Sequence, residues 1–288
     1  MKLKKTSSLK IIKTTKEMQA ISLRIKKKGI KKIFVIPTMG ALHDGHLSLI
    51  QRAKKKNIIT VVTIFINPKQ FNDKKDLNKY PANLKSDIKK LKNIGVDFLF
   101  APQNHEIYPD NFQTKVVVEE LQNHLCGISR KGHFDGVTSI VLKIFNIIQP
   151  DYSIFGEKDL QQLIIIKRMV KDLNIPIKIL SHKIIREKDG LALSSRNIRL
   201  TKKNRQIAPI IFKGLKKAKE DFKKNNLSSI NLIKNLKKYY LANNIKDIEY
   251  IKIINPENIT YPIKPKSGDY VLIAVKLGSI RLIDNLKF

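Results

Sequence analysis

One stretch constrains this 288-residue chain more than any other: Pro37-Thr38-Met39-Gly40-Ala41-Leu42-His43-Asp44-Gly45-His46, between an apolar run at 33–36 and an amphipathic run at 47–53. It reads as a strand, a tight turn and a helix N-terminus. Gly40 and Gly45 supply turn conformations that a side chain penalises, and a residue without Cβ lets a ligand approach the backbone. Asp44 reads as the N-cap. A helix that begins there points its unpaired N–H groups and positive dipole end at the mouth of the turn, which suits an anion. His43 and His46, three apart, face the same way where helical geometry reaches both. Two imidazoles beside such a helix end can donate to phosphate oxygens and stabilise charge on a leaving group.

The surrounding chain repeats this style. Residues 31–37 read as a strand and 47–56 as the following helix. Residues 58–67, nearly all apolar and β-branched, read as a strand buried on both faces, the type found inside a parallel sheet. Residues 81–93 have helical spacing, Gly95 ends them, and 96–100 form another strand. This β-α alternation predicts a parallel, doubly wound sheet, in which ligands collect outside the carboxyl ends of the strands. Residues 37–46 and Asn67-Pro68-Lys69-Gln70-Phe71 both follow strands, so both fall on that rim. Further on come an apolar helix at 137–148, a strand at 152–155 and an amphipathic helix at 161–173, with Gly156-Glu157-Lys158-Asp159 between the last two. Residues 177–185 read as a final strand and 186–197 as polar and irregular. From Thr201 the pattern changes to two Lys-rich helices, 202–224 and 228–242, and strands at 248–254 and 269–275, a smaller α+β unit.

No segment approaches the roughly 18 consecutive apolar residues of a membrane span. Residues 1–16 lack the apolar core and small-residue cleavage pattern of a leader. The expectation is a soluble, cytoplasmic protein with no membrane partner. The single cysteine, Cys126, excludes an intrachain disulfide. With 57 Lys+Arg against 24 Asp+Glu the formal net charge is +33, which by itself points to polyanions. The excess is spread along the chain, is mostly Lys, and accompanies abundant Ile and Asn, as compositional drift toward A- and T-rich codons would produce. No recognised nucleic-acid-reading module accompanies it, so no nucleic-acid partner is expected.

The ordered set PTMGALHDGH, IFINPKQF, GHFDGVTSIVLKIFNIIQPD, FGEKDLQQL and IIREKDGLALSSRN, in register from about residue 34 to 200, closely resembles the pantothenate synthetase family, ATP-dependent ligases of pantoate and β-alanine. The H-x-G-H and later S-S-R-N segments are also similar to the wider nucleotidyltransferase superfamily. The resemblance implies an α/β fold, a Rossmann-like doubly wound parallel sheet over 1–184 that binds nucleotide and pantoate, with a smaller α+β domain over 185–288 that closes over the ATP site. It implies ATP with Mg2+ as co-substrate, a pantoyl adenylate intermediate, and a homodimer. By analogy Met39, Gly40, Ala41, Leu42, His43, Asp44, Gly45 and His46 line the ATP site, with His46 the catalytic proton donor. Gly156, Glu157, Lys158 and Asp159 contact ribose and phosphates, Ile185 packs near the adenine, and Leu193, Ser194, Ser195 and Arg196 close over the phosphates.

Gln70 and Gln162 hold pantoate in the same analogy, and an amide suits this, since it both donates to a carboxylate and accepts from hydroxyls. Gln70 also bounds the β-alanine space, with Asn67 orienting it. This chain departs from the common pattern at Leu193, where Met is frequent, at Lys131, where Pro is frequent, and at Ser86, which precedes Asp87 where some members have two acids. Direct protein ligands of magnesium are therefore left open, and the ATP phosphates are expected to hold the ion. Two other readings stand beside the ligase: a nucleotidyltransferase without ligase activity, and a basic nucleic-acid-binding protein.

Overall fold

The computed structural model describes residues 9–29, 31–55, 57–225 and 227–288. In chain order the elements are β1 (Lys10–Ile12), α1 (Thr15–Lys28), β2 (Lys32–Thr38), α2 (Asp44–Ala53), β3 (Ile58–Ile64), α3 (Lys74–Asn78), α4 (Leu84–Ile94), β4 (Phe98–Phe100) and α5 (Asn104–Ile107). There follow α6 (Cys126–Ser129), α7 (His133–Ile148), β5 (Tyr152–Gly156), α8 (Leu160–Asp172) and β6 (Lys178–His182). Last come α9 (Lys202–Ile207), α10 (Ile210–Asn225), α11 (Ser229–Ala242), β7 (Asp247–Ile254), β8 (Tyr270–Leu277) and β9 (Ile280–Lys287). The chain forms two compact units. One takes the described residues up to Val118 with Arg130–Gly156 and Ile165–His182; the other takes Glu119–Ser129, Glu157–Ile164 and Lys183–Phe288.

In the first unit six strands pair in the order β1-β4-β3-β2-β5-β6, every pairing parallel. β2 is central because its side chains are apolar on both faces: Phe34 and Ile36 pack with Leu49, Ile50 and Leu91 of α2 and α4, while Ile33 and Val35 are fully buried at the alternate positions. β2 lies between β3 and β5, so the strand order reverses there, and the carboxyl ends of β2 and β5 flank the topological switch point.

The second unit is a β7-β8-β9 antiparallel meander. Ile251 and Ile253 of β7 and Val271, Ile273 and Val275 of β8 alternate onto one face and bury against Ile211 and Leu215 of α10 and Leu232, Leu236 and Tyr240 of α11. The helix expected over 202–224 is two helices, because Pro209 has no N–H to continue the first. The helix expected over 47–56 runs instead from Asp44 to Ala53, with Lys54 in extended conformation as its C-cap; Lys56 and residues 1–8 of the N-terminal reading lie outside the described residues. The strand expected to run to residue 67 stops at Ile64, where the chain turns toward Pro68. β1, α1, β9 and the short helices α3, α5 and α6 are additions to the expected elements. Among the described residues no helix is long and apolar enough to cross a membrane.

Candidate active site

At the end of β2 the Thr38 hydroxyl donates to the Thr63 carbonyl at 2.7 Å and accepts from the Gly40 N–H at 3.2 Å, tying the turn to β3. Gly40 has φ +81, and a Cβ there would come within 3.1 Å of both Asp87 and Ile64, so glycine answers both the conformation and the space. Asp87 of α4 then fixes the next two residues. Its Oδ2 accepts from the Ala41 N–H and its Oδ1 from the Leu42 N–H, each at 2.9 Å. Asp87 is 2 % exposed, an acid buried to satisfy a backbone that cannot pair with itself. Lys90, one turn on, donates to the Leu42 carbonyl at 2.5 Å. The Leu42 side chain is buried in the core, so its part in the turn is anchorage.

The helix cap differs from expectation. His43, not Asp44, is the N-cap, and Asp44 is the first helical residue. The Gly45 N–H donates to His43 Nδ1 at 3.2 Å, and the His43 N–H donates to His46 Nδ1 at 3.4 Å. An imidazole nitrogen accepts as a carboxylate would, so the reciprocal cap of a Ser-x-x-Glu box is built from two histidines. This fixes the chemistry of both rings: with Nδ1 accepting in each, a neutral ring carries its proton on Nε2. The ring centroids lie 4.1 Å apart with planes 36° apart. The result is a pair of adjacent Nε2 donors at the N-terminus of a ten-residue helix, where the dipole favours an anion.

The second rim segment follows β3. Asn67 caps a 3-10 turn over Pro68–Gln70. Asn67 Nδ2 donates to the Gly136 carbonyl and to Gln70 Oε1, each at 3.0 Å, and Gln70 Nε2 reaches Met39 Sδ at 3.1 Å. The pantoate candidate therefore touches the turn that holds the two histidines. The segment GHFDG supplies its support. His133 Nδ1 donates to the Gln70 carbonyl at 2.7 Å, Arg130 Nη2 donates to the same oxygen at 3.2 Å, and Arg130 Nη1 donates to His133 Nε2 at 3.2 Å. At Gly136 a Cβ would lie 2.3 Å from the Lys69 carbonyl oxygen and 2.7 Å from the Gln70 nitrogen, so α7 can approach this closely only as glycine. Lys131, at a position where Pro is frequent, accepts from Asn72 through its carbonyl, a contact any residue could make.

Gly156, at the end of β5, belongs to the first unit, and the second unit holds the other candidates. After Gly156 the chain makes a 3-10 turn, Glu157–Asp159. Asn285 of β9 donates to the carbonyls of Glu157 at 2.8 Å and Lys158 at 3.1 Å, and Asp284 beside it takes Arg186 in a two-pronged pair at 2.6 and 2.9 Å. Arg186 also lies 3.6 Å from the centroid of the Phe212 ring. The Lys158 side chain is 20 % exposed, which separates it from surface lysines such as Lys10 at 57 %. Gln161 is consumed structurally, accepting from the Cys126 N–H and donating to the carbonyls of Leu121 and His124. Its neighbour Gln162 is half-buried.

Residues 186–197 hold no strand or α-helix, as expected, but their first half is drawn into a tight turn: Arg186 bridges Ala192, and the Leu193 N–H donates to the Ile185 carbonyl at 3.0 Å. Ser194 Oγ accepts from the Arg196 N–H at 3.3 Å, holding the Leu193–Arg196 run, while Asn197 ties back to Glu187 and Ala192. Ser195 lies half-buried within that run.

A family model described as pantoate-beta-alanine ligase matches residues 10–287. A pantothenate synthetase of Sulfurihydrogenibium sp. (strain YO3AOP1) is 45 % identical over 282 residues, 97 % of this chain and 100 % of that protein. One of Thermosipho africanus (strain TCF52B) is 44 % identical over 278 residues, 96 % and 99 % of the two chains. The crystal structure of pantothenate synthetase from Thermus thermophilus superposes with a TM-score of 0.91 at 36 % identity, covering 96 % of this chain and 99 % of that one. Pantoate-beta-alanine ligase from Francisella tularensis, solved with beta-gamma ATP and beta-alanine, gives 0.81 at 37 % identity, covering 97 % and 98 %. With the match running across the whole sheet-turn-helix framework and on through β9, the chain belongs to the pantoate-beta-alanine ligase family.

Proposed function

We propose that this protein condenses pantoate with β-alanine at the expense of ATP, releasing pantothenate, AMP and pyrophosphate. A carboxylate oxygen of pantoate attacks the α-phosphorus, pyrophosphate leaves, and a pantoyl adenylate remains. The β-alanine amine then attacks the acyl carbon, and AMP leaves with one of the former carboxylate oxygens. The protein's task is to position these groups and to neutralise charge. In this reading the Nε2–H groups of His43 and His46 hold the triphosphate, and His46 donates to the departing pyrophosphate. Gln70 and Gln162 orient pantoate, Gln70 bounds the amine's space, and Lys158 and Arg196 add positive charge, Arg196 in a geometry that matches phosphate.

Magnesium enters as part of the ATP complex. Among the described residues no three His, Cys, Asp or Glu side chains converge on a metal position, and both oxygens of Asp87 are taken by backbone N–H groups. The residues present therefore do not suit a metal held by protein ligands alone, whereas phosphates commonly carry magnesium. The division at residue 184, a homodimeric state and a cytoplasmic location belong to the same proposal, as what the sequence resemblance implies.

The observation that carries the reading is the 3.1 Å approach of the Gln70 carboxamide to Met39, which sets a pantoate-type amide against the histidine turn. A nucleotidyltransferase without ligase activity has no need of that amide. The test is to incubate the protein with ATP, magnesium, D-pantoate and β-alanine and to weigh the product. Pantothenate and AMP are expected in equal amounts, with Gln70→Ala and Gln162→Ala losing most of both. AMP formation independent of pantoate, or wild-type rates in both variants, would overturn it.

A further inference from the structure

Asn67 is 1 % exposed and every polar atom of its carboxamide is engaged. Its Oδ1 accepts from the Tyr108 hydroxyl at 2.8 Å and from the Lys69 N–H at 3.3 Å; its Nδ2 donates to the Gly136 carbonyl and to Gln70 Oε1. The direction of this chain is not a free choice. A backbone N–H can only donate and a backbone carbonyl can only accept, so Lys69 and Gly136 fix which end of Asn67 is oxygen. With Asn67 so oriented, Gln70 Oε1 is occupied and its NH2 is the end that faces Met39.

The phenol is held rigidly. Its ring lies 5.0 Å from Phe112, edge to face, and 6.0 Å from Phe65, with the Lys69 ammonium 4.7 Å from its centroid. Burial raises the Tyr108 pKa, so the hydroxyl keeps its proton and remains a donor at neutral pH.

We infer that Tyr108 is a positioning residue for the acid substrate: its hydroxyl steadies the Asn67 carboxamide that Lys69 and Gly136 orient, and so helps to hold Gln70 with N–H, and not oxygen, toward the pantoate carboxylate. This rests on the assignment of Gln70 to pantoate. It gives a role, exerted through Asn67, to a residue 38 positions from Gln70. Were Gln70 free to flip, half its orientations would set two acceptor oxygens against each other.

The test is a double-mutant cycle on the full chain with separate KM values for pantoate, β-alanine and ATP. Tyr108→Phe keeps the ring and removes the donor. It is expected to raise the pantoate KM about five- to tenfold, the worth of a buried hydrogen bond, with the ATP KM unchanged. In a Gln70→Ala background the same change should have no further effect on pantoate, because the group through which Tyr108 acts is gone. An unchanged pantoate KM in Tyr108→Phe, or an equal effect with and without Gln70, overturns the inference. If Tyr108→Phe does not accumulate folded, Asn67→Ser, which cannot reach both Gln70 and Gly136, must show the same signature. If Gln70→Ala itself leaves the pantoate KM unchanged, it is the assignment of Gln70 that fails.

Discussion

Replacing Gly136 with alanine adds one methyl group where the backbone of the Asn67–Gln70 turn already lies. The new Cβ would sit 2.3 Å from the Lys69 carbonyl oxygen, 2.5 Å from its carbon and 2.7 Å from the Gln70 nitrogen. An ordinary contact needs 3.4 Å or more, so the turn must retreat from α7 by about 1 Å, since packed interiors have no slack to absorb it. Neither side yields easily. The turn is backbone, held by His133 and Arg130 at the Gln70 carbonyl, and α7 is buried along most of its length. Overpacking of this kind costs about 1–3 kcal/mol, at about 2–4 °C of Tm per kcal/mol for a chain of this size. A displacement of about 1 Å in a group that aims a reactant costs about 100-fold in rate. Thermal unfolding and steady-state kinetics on one preparation measure both. The expected result is a modest loss of Tm with a roughly 100-fold fall in kcat/KM for pantoate. Wild-type values of both would refute the claim that this helix sets the position of Gln70.

Asp87→Ala leaves the Ala41 and Leu42 N–H groups without their carboxylate; each unsatisfied donor costs about 1–3 kcal/mol, and the ATP KM should rise at least tenfold, with Asp87→Asn partly restoring it. Asn285→Asp keeps the side-chain shape but cannot donate to the Glu157 and Lys158 carbonyls, so it should raise the ATP KM and leave the pantoate KM alone; the opposite split would contradict the role given to β9. Burial works to raise the Glu249 carboxyl, but hydrogen bonds from Arg281 and Ser129 outweigh it and hold the group below the ordinary carboxylate range. The stabilisation from that depressed pKa is complete above about pH 4.3 and is lost as pH falls through the lower folded-state value. Glu249→Gln should flatten the acid side of a Tm-against-pH curve, and an unchanged slope would contradict the pair.

The histidine turn is legible in the sequence because its parts are local: a β-branched run, two glycines and two imidazoles at helical spacing. The identity of the cap is not, since Asp44 has the better capping propensity, yet two imidazoles that accept from each other's turn displace it. Asp87 leaves a readable trace. It shares the stripe of Leu91 and Ile94 on α4, and an acid on an apolar stripe needs a buried partner. Pro209 likewise marks the helix break. Tyr108 and Asn285 leave no comparable trace, because their partners lie 41 and 128 residues away and only the folded chain joins them. β9 is obscured because its inward run, Ile280 and Leu282, gives way to the buried polar pair Asp284 and Asn285. α1 is hidden for the opposite reason: Met18 and Ser22 are its buried residues, too few to make a stripe.

In the proposed reaction a carboxylate, aimed by Gln70 beside the paired imidazoles, attacks the α-phosphorus. Pantoate labelled with 18O in its carboxylate follows that oxygen, by mass spectrometry of the products made with ATP and β-alanine. One labelled oxygen should appear in the phosphate of AMP for each pantothenate formed. Label in orthophosphate or pyrophosphate, or unlabelled AMP beside labelled pantothenate, would mean that a different phosphorus, or no phosphorus, is attacked.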